Sequence, residues 1–342
     1  MKSVNRVKAA LVTGTKSTIH GTPNTAARTK SFLLVFLALA STAVLHADAT
    51  FFVEEPYGPF GAMNPTGHAA IYLSRVCAAT PVVLHRCGPG ELGIVVSRYS
   101  RIAGYDWIAI PLIPYLYAVE RPEDVPEKAN AAEVALLRDA YRREHLTAIA
   151  PDGPEGTIPG GAWVELIGAA YNRKIYGFQF PTTPAQDDHL IAELNSRKNH
   201  SHFNLFFNNC ADFSRKILNL YYPHAVHRSY VGDAGLTTPK QLAECLVKYA
   251  KSHPELHMSA FYLPQIPGSR DPSHHVNNVC EAFVKTKKYM VPLAAFHPWL
   301  AGGIFAAYLA GSHFNVAHYA ETEYGPHDLP MQASLSAQAG MP

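Results

Sequence analysis

The chain has 342 residues, 48% hydrophobic, 11% aromatic and only 16% charged, which is apolar material for one large core or two small ones. A formal net charge of +2, with no dense Lys/Arg stripe interleaved with aromatics, argues against nucleic acid as a partner. Pro (26) and Tyr (18) are both plentiful, as expected of a chain with many turns and extended segments.

Residues 1–49 read as a leader. Lys2, Arg6, Lys8, Lys16, Arg28 and Lys30 come without an acidic residue, and 31–45 is then an apolar run that ends at Ala47-Asp48-Ala49. That order is the order of a secretory signal, with cleavage expected after Ala49 and an exported (periplasmic or secreted) product. An uncleaved anchor is the alternative, but the run is short of the about 20 residues a bilayer requires. No Cys follows it, which argues against a lipid-anchored N-terminus.

Four segments have strand composition between Gly or Pro boundaries: 67–73, 81–87, 92–98 and 105–112. The pattern turns helical at 130–145. A Gly/Pro-rich loop or lid follows at 151–161, then helical segments at 162–172 and 186–197. Residues 115–200 are accordingly expected to be a helical insertion. The 210–221 segment is the most informative. Cys210, Phe213, Ser214, Ile217, Leu218 and Tyr221 form one stripe at helical spacing, Asn208 or Asn209 is available as N-cap, and Asp212 sits in the first turn. Another helix opens at Thr238-Pro239-Lys240-Gln241, with Leu242, Cys245, Leu246 and Tyr249 on its buried face. Strands first and helices after them predict an α+β fold, with a catalytic domain over 50–251 and a helical extension over 252–323. Within that extension, 291–311 is apolar but interrupted by Pro292, His297 and Pro298, leaving 299–310 as a clean helix. Lys285, Lys287 and Lys288 oppose the positive-inside tendency for a span, so a buried or surface-docking helix is expected. Residues 324–342 read as a disordered tail.

The chemistry centres on two residues. The first turn of a helix stabilises a thiolate through its unpaired N–H groups and its dipole, and Cys210 stands there. A base is needed as well, and His68, among the small residues of Gly67-His68-Ala69-Ala70, suits a strand packed against that helix. The stretches Thr66-Gly67-His68-Ala69-Ala70-Ile71-Tyr72-Leu73 and Phe203-Asn204-Leu205-Phe206-Phe207-Asn208-Asn209-Cys210-Ala211-Asp212-Phe213 together resemble the circularly permuted papain-like superfamily. That group includes permuted NlpC-type hydrolases and lecithin:retinol acyltransferase-like enzymes. The resemblance implies an antiparallel sheet packed against the helix that carries the nucleophile, with Cys210 as nucleophile and His68 as base. It also implies a polar residue on the following strand that orients His68. His85 is chosen for this, because alternation puts Val83, His85 and Cys87 on one face; Glu91 is the rival. The Cys210 backbone N–H would hold the oxyanion. Asn208 or Asn209 is a candidate for oxyanion contact or for capping.

The implied function is cleavage of an amide or peptide bond in cell-envelope material through a thioester. An acyl-lipid hydrolase or acyltransferase is the second possibility, which an apolar element beside the site would favour, and a non-catalytic binding module on the same fold is the third. No cofactor is expected. Histidine is abundant at 18, but His200/His202 and His274/His275 lack a third ligand at a recognised spacing and Pro254 argues against one helical face for His253 and His257, so no metal site is expected. The five cysteines admit Cys77–Cys87 and Cys245–Cys280 bridges that leave Cys210 free, or five thiols.

Overall fold

The computed structural model describes residues 47–58, 65–311 and 313–329. Most of the expected leader, residues 1–46, and residues 330–342 of the expected tail lie outside these. The fold is α+β. Its sheet has seven strands, β1 (Ala47–Glu54), β2 (His68–Leu73), β5 (Ile94–Ser97), β6 (Ile108–Pro111), β7 (Ile175–Thr182), β8 (Ser259–Leu263) and β9 (Thr322–Glu323), in the order β6-β5-β2-β1-β7-β8-β9. Every pairing is antiparallel except β8 with β9. A hairpin of β3 (Val76–Thr80) and β4 (Val83–Arg86) forms a separate two-stranded sheet.

Helices cover both faces of the large sheet, which is why β2 is buried along its whole length and shows no polar alternation. On one face, α4 (Pro184–Ser196), α5 (Cys210–Tyr221) and α6 (Pro239–Ser252) pack on Phe51, Val53, Ala69, Ile71 and Val96. On the other, α1 (Leu112–Tyr117), α2 (Ala131–His145) and α3 (Trp163–Leu166) meet Phe52, Ala70, Tyr72, Val95 and Ile110. Four further helices follow: α7 (Val279–Lys285), α8 (Lys287–Phe296), α9 (Pro298–Ala310) and α10 (Val316–Tyr319).

Several expectations change against this fold. The Ala47-Asp48-Ala49 motif belongs to β1, where Ala49 pairs with Leu73 and Phe180, the Asp48 N–H donates to Ser74 Oγ (3.0 Å), and Gln179 donates to the Asp48 carboxylate (2.7 Å). The small, extended residues that suit a cleavage site suit a strand as well. The 115–200 segment is not wholly helical, since it contains β7, the long strand beside β1. Nor is 252–323, whose β8 and β9 extend the same sheet. The expected helix over 162–172 is broken at Gly168, which takes φ +69°, leaving α3 and a short 3₁₀ turn. The tail packs further than expected: Tyr324 stacks edge-on against Phe261, and Leu329 is buried. Cys77 and Cys87 are bridged across the β3–β4 hairpin. Cys245 and Cys280 are not joined: both are free and buried, Cys245 Sγ accepting from Gln241 Nε2 (3.0 Å) and Cys280 Sγ lying by the Val231 carbonyl (3.5 Å).

One glycine sets how β2 enters the sheet. Gly67 takes φ +75°, and a Cβ there would stand 2.0 Å from the Glu54 carbonyl oxygen, so the start of β2 presses directly on the end of β1. Gly67→Ala should therefore lower unfolding stability by about 2 kcal/mol or more. Gly90→Ala is the control. There φ is also positive (+81°) but no atom lies within 4 Å, and about 1 kcal/mol is expected. Equal shifts in the urea midpoint would mean that close approach is not what requires Gly67.

Candidate active site

The helix that carries Cys210 is held by its cap. Asn209 Oδ1 accepts the Asp212 N–H (2.8 Å), and the buried Asp212 carboxylate in turn accepts from Thr237 Oγ1 and Arg228, both at 2.7 Å. Buried Arg98, just past the end of β5, grips Asp106 with two nitrogens (2.7 and 2.8 Å) and donates to the Asn209 carbonyl (3.3 Å). The helix start is thereby tied to the sheet. Cys210 is 7% exposed, and its N–H and that of Ala211 belong to the first turn, where backbone donors have no acceptor within the helix.

His68 opens β2 and is 2% exposed. Ala69, Ile71 and Leu73 point at the α5 face, whereas Ala70 and Tyr72 point away, and His68 alternates with the latter. Its neighbours agree with that placement: the ring stacks on Tyr99 at 5.5 Å, and Nδ1 lies 3.5 Å from Glu165 Oε2 on α3. His68 and Cys210 come together where the start of β2 meets the start of α5, and both line one cavity.

The ring is oriented by Ser97, at the end of β5. Ser97 Oγ donates to the Ala69 carbonyl (2.6 Å), so its oxygen is left to accept from His68 Nε2–H (3.2 Å). Burial works against charge on His68, but the negative charge at Cys210, then Glu165, more than offset it and lift the imidazole from 6.5 to about 9. The imidazole is therefore set up to hold its proton at neutral pH. Burial, reinforced by the carboxylates of Glu54 and Glu165, pushes the Tyr99 phenol well above its ordinary value, so it stays neutral against the ring. Buried Arg173 faces both carboxylates, NH1 at 3.2 Å from Glu54 and NH2 at 3.9 Å from Glu165, and so helps to hold Glu165 beside His68.

Neither residue expected to orient His68 does so. His85 lies on β4, which pairs with β3 and not with β2, and its Nδ1 is 2.6 Å from the Arg86 carbonyl. Glu91 is an exposed turn residue that accepts the Gly88 N–H (2.5 Å). Asn209 caps the helix and Asn208 does not. Each also has its amide nitrogen committed to two acceptors, Asn208 to Ser201 Oγ and the His202 carbonyl, Asn209 to the carbonyls of Leu205 and Thr237. No amide hydrogen is left on either for an oxyanion, so the α5 backbone N–H groups are the donors at hand. Ser97 and Glu165 were missed. Ser97 stands in the 92–98 strand segment, one strand over from β2, and that adjacency was the available signal; Glu165 carries none.

His68, Glu165 and Cys210 share a cavity of about 520 Å³. Its remaining walls are mainly apolar, with Leu205 and Phe206 from the loop before α5, Leu236 and Pro239 at the start of α6, and Phe283 and Tyr289 from α7 and α8. No family model, curated protein or solved structure matches this chain.

The charge pairing has a pH signature. A raised imidazole keeps its proton through neutrality and loses it as pH rises through about 9. NMR titration should find His68 near that value. Cys210→Ala and Glu165→Gln each remove negative charge facing the ring, so each should move the titration to lower pH. A His68 titration unmoved by Cys210→Ala would show that the two side chains do not interact.

Proposed function

We propose that this protein is a thiol enzyme that moves or hydrolyses an acyl group through a thioester on Cys210. The observation that carries the reading is the buried Cys210–His68 pair, facing a cavity at a helix N-terminus. The Cys210 thiolate attacks the acyl carbonyl carbon, and the bond to the leaving group breaks. The proton on His68 goes to that leaving group. Water or another acceptor then gives its proton to His68 and attacks the thioester, which frees the acyl product and restores the thiolate. The negative oxygen of each tetrahedral intermediate lies by the N–H groups of Cys210 and Ala211.

On substrate, the apolar lining favours the acyl-lipid hydrolase or acyltransferase reading over cleavage of an envelope peptide. A peptide backbone needs polar partners along its length, whereas an acyl chain needs only apolar wall. The likeness to permuted papain-like enzymes supports the same chemistry through the order Gly67-His68 then Asn209-Cys210. A non-catalytic role would leave the raised His68 without a use. Export is supported by the leader pattern and by the Cys77–Cys87 bridge, since such bridges persist in oxidising compartments. We place the end of the leader before Ala47, because residues 47–49 are paired in the sheet.

Incubation with diacyl phospholipids, an acid quench and intact-mass analysis should show a fatty-acyl adduct on Cys210 that hydroxylamine removes. Cys210→Ala should form no adduct while still folding and unfolding cooperatively. Ser97→Ala should slow adduct formation about tenfold to a hundredfold and still leave Cys210 open to iodoacetamide. A peptidyl adduct from envelope extracts would restore the peptidase reading. Turnover retained in Cys210→Ala would end the nucleophile assignment.

A further inference from the structure

Helices α8 and α9 present an apolar surface that the catalytic pair does not use. Trp299 is 94% exposed, Phe296 79% and Val291 65%, and Leu300, Phe305 and Leu309 are also exposed. From Tyr289 to Ala320 the chain has no Asp, Glu, Lys or Arg. At helical spacing, residues 299, 300, 305 and 309 point in several directions round α9 rather than along one stripe. A folded protein partner would cover one face of such a helix. A fluid lipid layer can meet side chains that splay in several directions.

Three observations choose the lipid. Lys287 and Lys288 are exposed at the start of α8, placed for anionic headgroups beside the apolar surface. No helix among the described residues is long and apolar enough to cross a membrane, and α8 and α9 have ten and thirteen residues, so they suit lying in the interface. The surface also adjoins the cavity, because Tyr289 of α8 and Phe283 of α7 line it and α9 packs on both helices. We infer that α8 and α9 dock this protein on an anionic bilayer, lying in its interfacial layer beside the mouth of the catalytic cavity. The docking would bring acyl chains to Cys210. That use rests on the acyl-lipid reading above, whereas the docking itself does not.

Tryptophan emission of the full chain provides the test, because Trp107 and Trp163 are buried and Trp299 is exposed. Vesicles of phosphatidylglycerol in phosphatidylcholine should shift the emission to the blue, and brominated acyl chains should quench it. Trp299→Phe should abolish both effects even if the N-terminal apolar run also binds lipid. Lys287→Ser with Lys288→Ser should lower partitioning about twentyfold, and added salt should weaken the wild type in the same way. Trp299 emission unchanged by vesicles, with acrylamide still reaching the ring, would overturn the inference. So would a dimer of this chain that Phe296→Glu dissociates without any lipid effect. Cys210→Ser should insert Trp299 like the wild type. Insertion without an acyl adduct would leave the docking standing and remove the acyl reading, and an adduct without insertion would do the reverse.

Discussion

A charged imidazole is costly to bury unless opposite charge faces it, and much of the site follows from that constraint. His68 sits between the Cys210 sulfur and the Glu165 carboxylate. Glu165 is itself a negative group at the margin of the core, and Arg173 faces it. Arg173 is buried as well and is matched by Glu54, the last residue of β1, which also accepts from the Tyr115 hydroxyl. The chain of alternating charge thus links α5, β2, α3 and β1. Removing one member would leave its neighbours buried and uncompensated, so the site and the packing of that face of the sheet are one structure.

The tight contact between β1 and β2 belongs to the same arrangement. Glu54 pairs with His68 in the strand register, and the Glu54 carbonyl lies where a side chain on Gly67 would be. The strand that ends in Glu54 therefore also fixes where His68 stands. Arg98 does the corresponding work for Cys210 by joining the end of β5 to the cap of α5, one residue after Ser97 has set the ring of His68. Two adjacent residues at one strand end position both halves of the pair.

What could be read in advance was what depends on local spacing. The α5 stripe, its bounds and its cap follow from a few residues in sequence, as does β2 with its Gly-His start. Elements whose character is set by distant partners were misread. The first three residues of β1 follow an apolar run and read as the end of the leader; β7 lies among helical segments and is set by its partners β1 and β8 on either side. At the site, His85 fitted a rule of alternation, but alternation says nothing about which strands pair, and β4 pairs only with β3. Glu165 reaches His68 from a four-residue helix in a stretch with no distinctive pattern. Ser97 is a common residue whose role depends on the Ala69 carbonyl fixing the direction of its hydroxyl.

The position of β1 also bears on how the chain comes to be folded. Its neighbour β7 pairs Thr182 with Ala47, and the helix that carries Cys210 begins only at residue 210. Pairings between positions so far apart form slowly, because a long loop must close before any contact repays the lost chain entropy. During synthesis, β1 must wait with an unpaired edge until β7 has been made. Until then only the β2 side of β1 can be covered, so the middle of the sheet is completed late in synthesis.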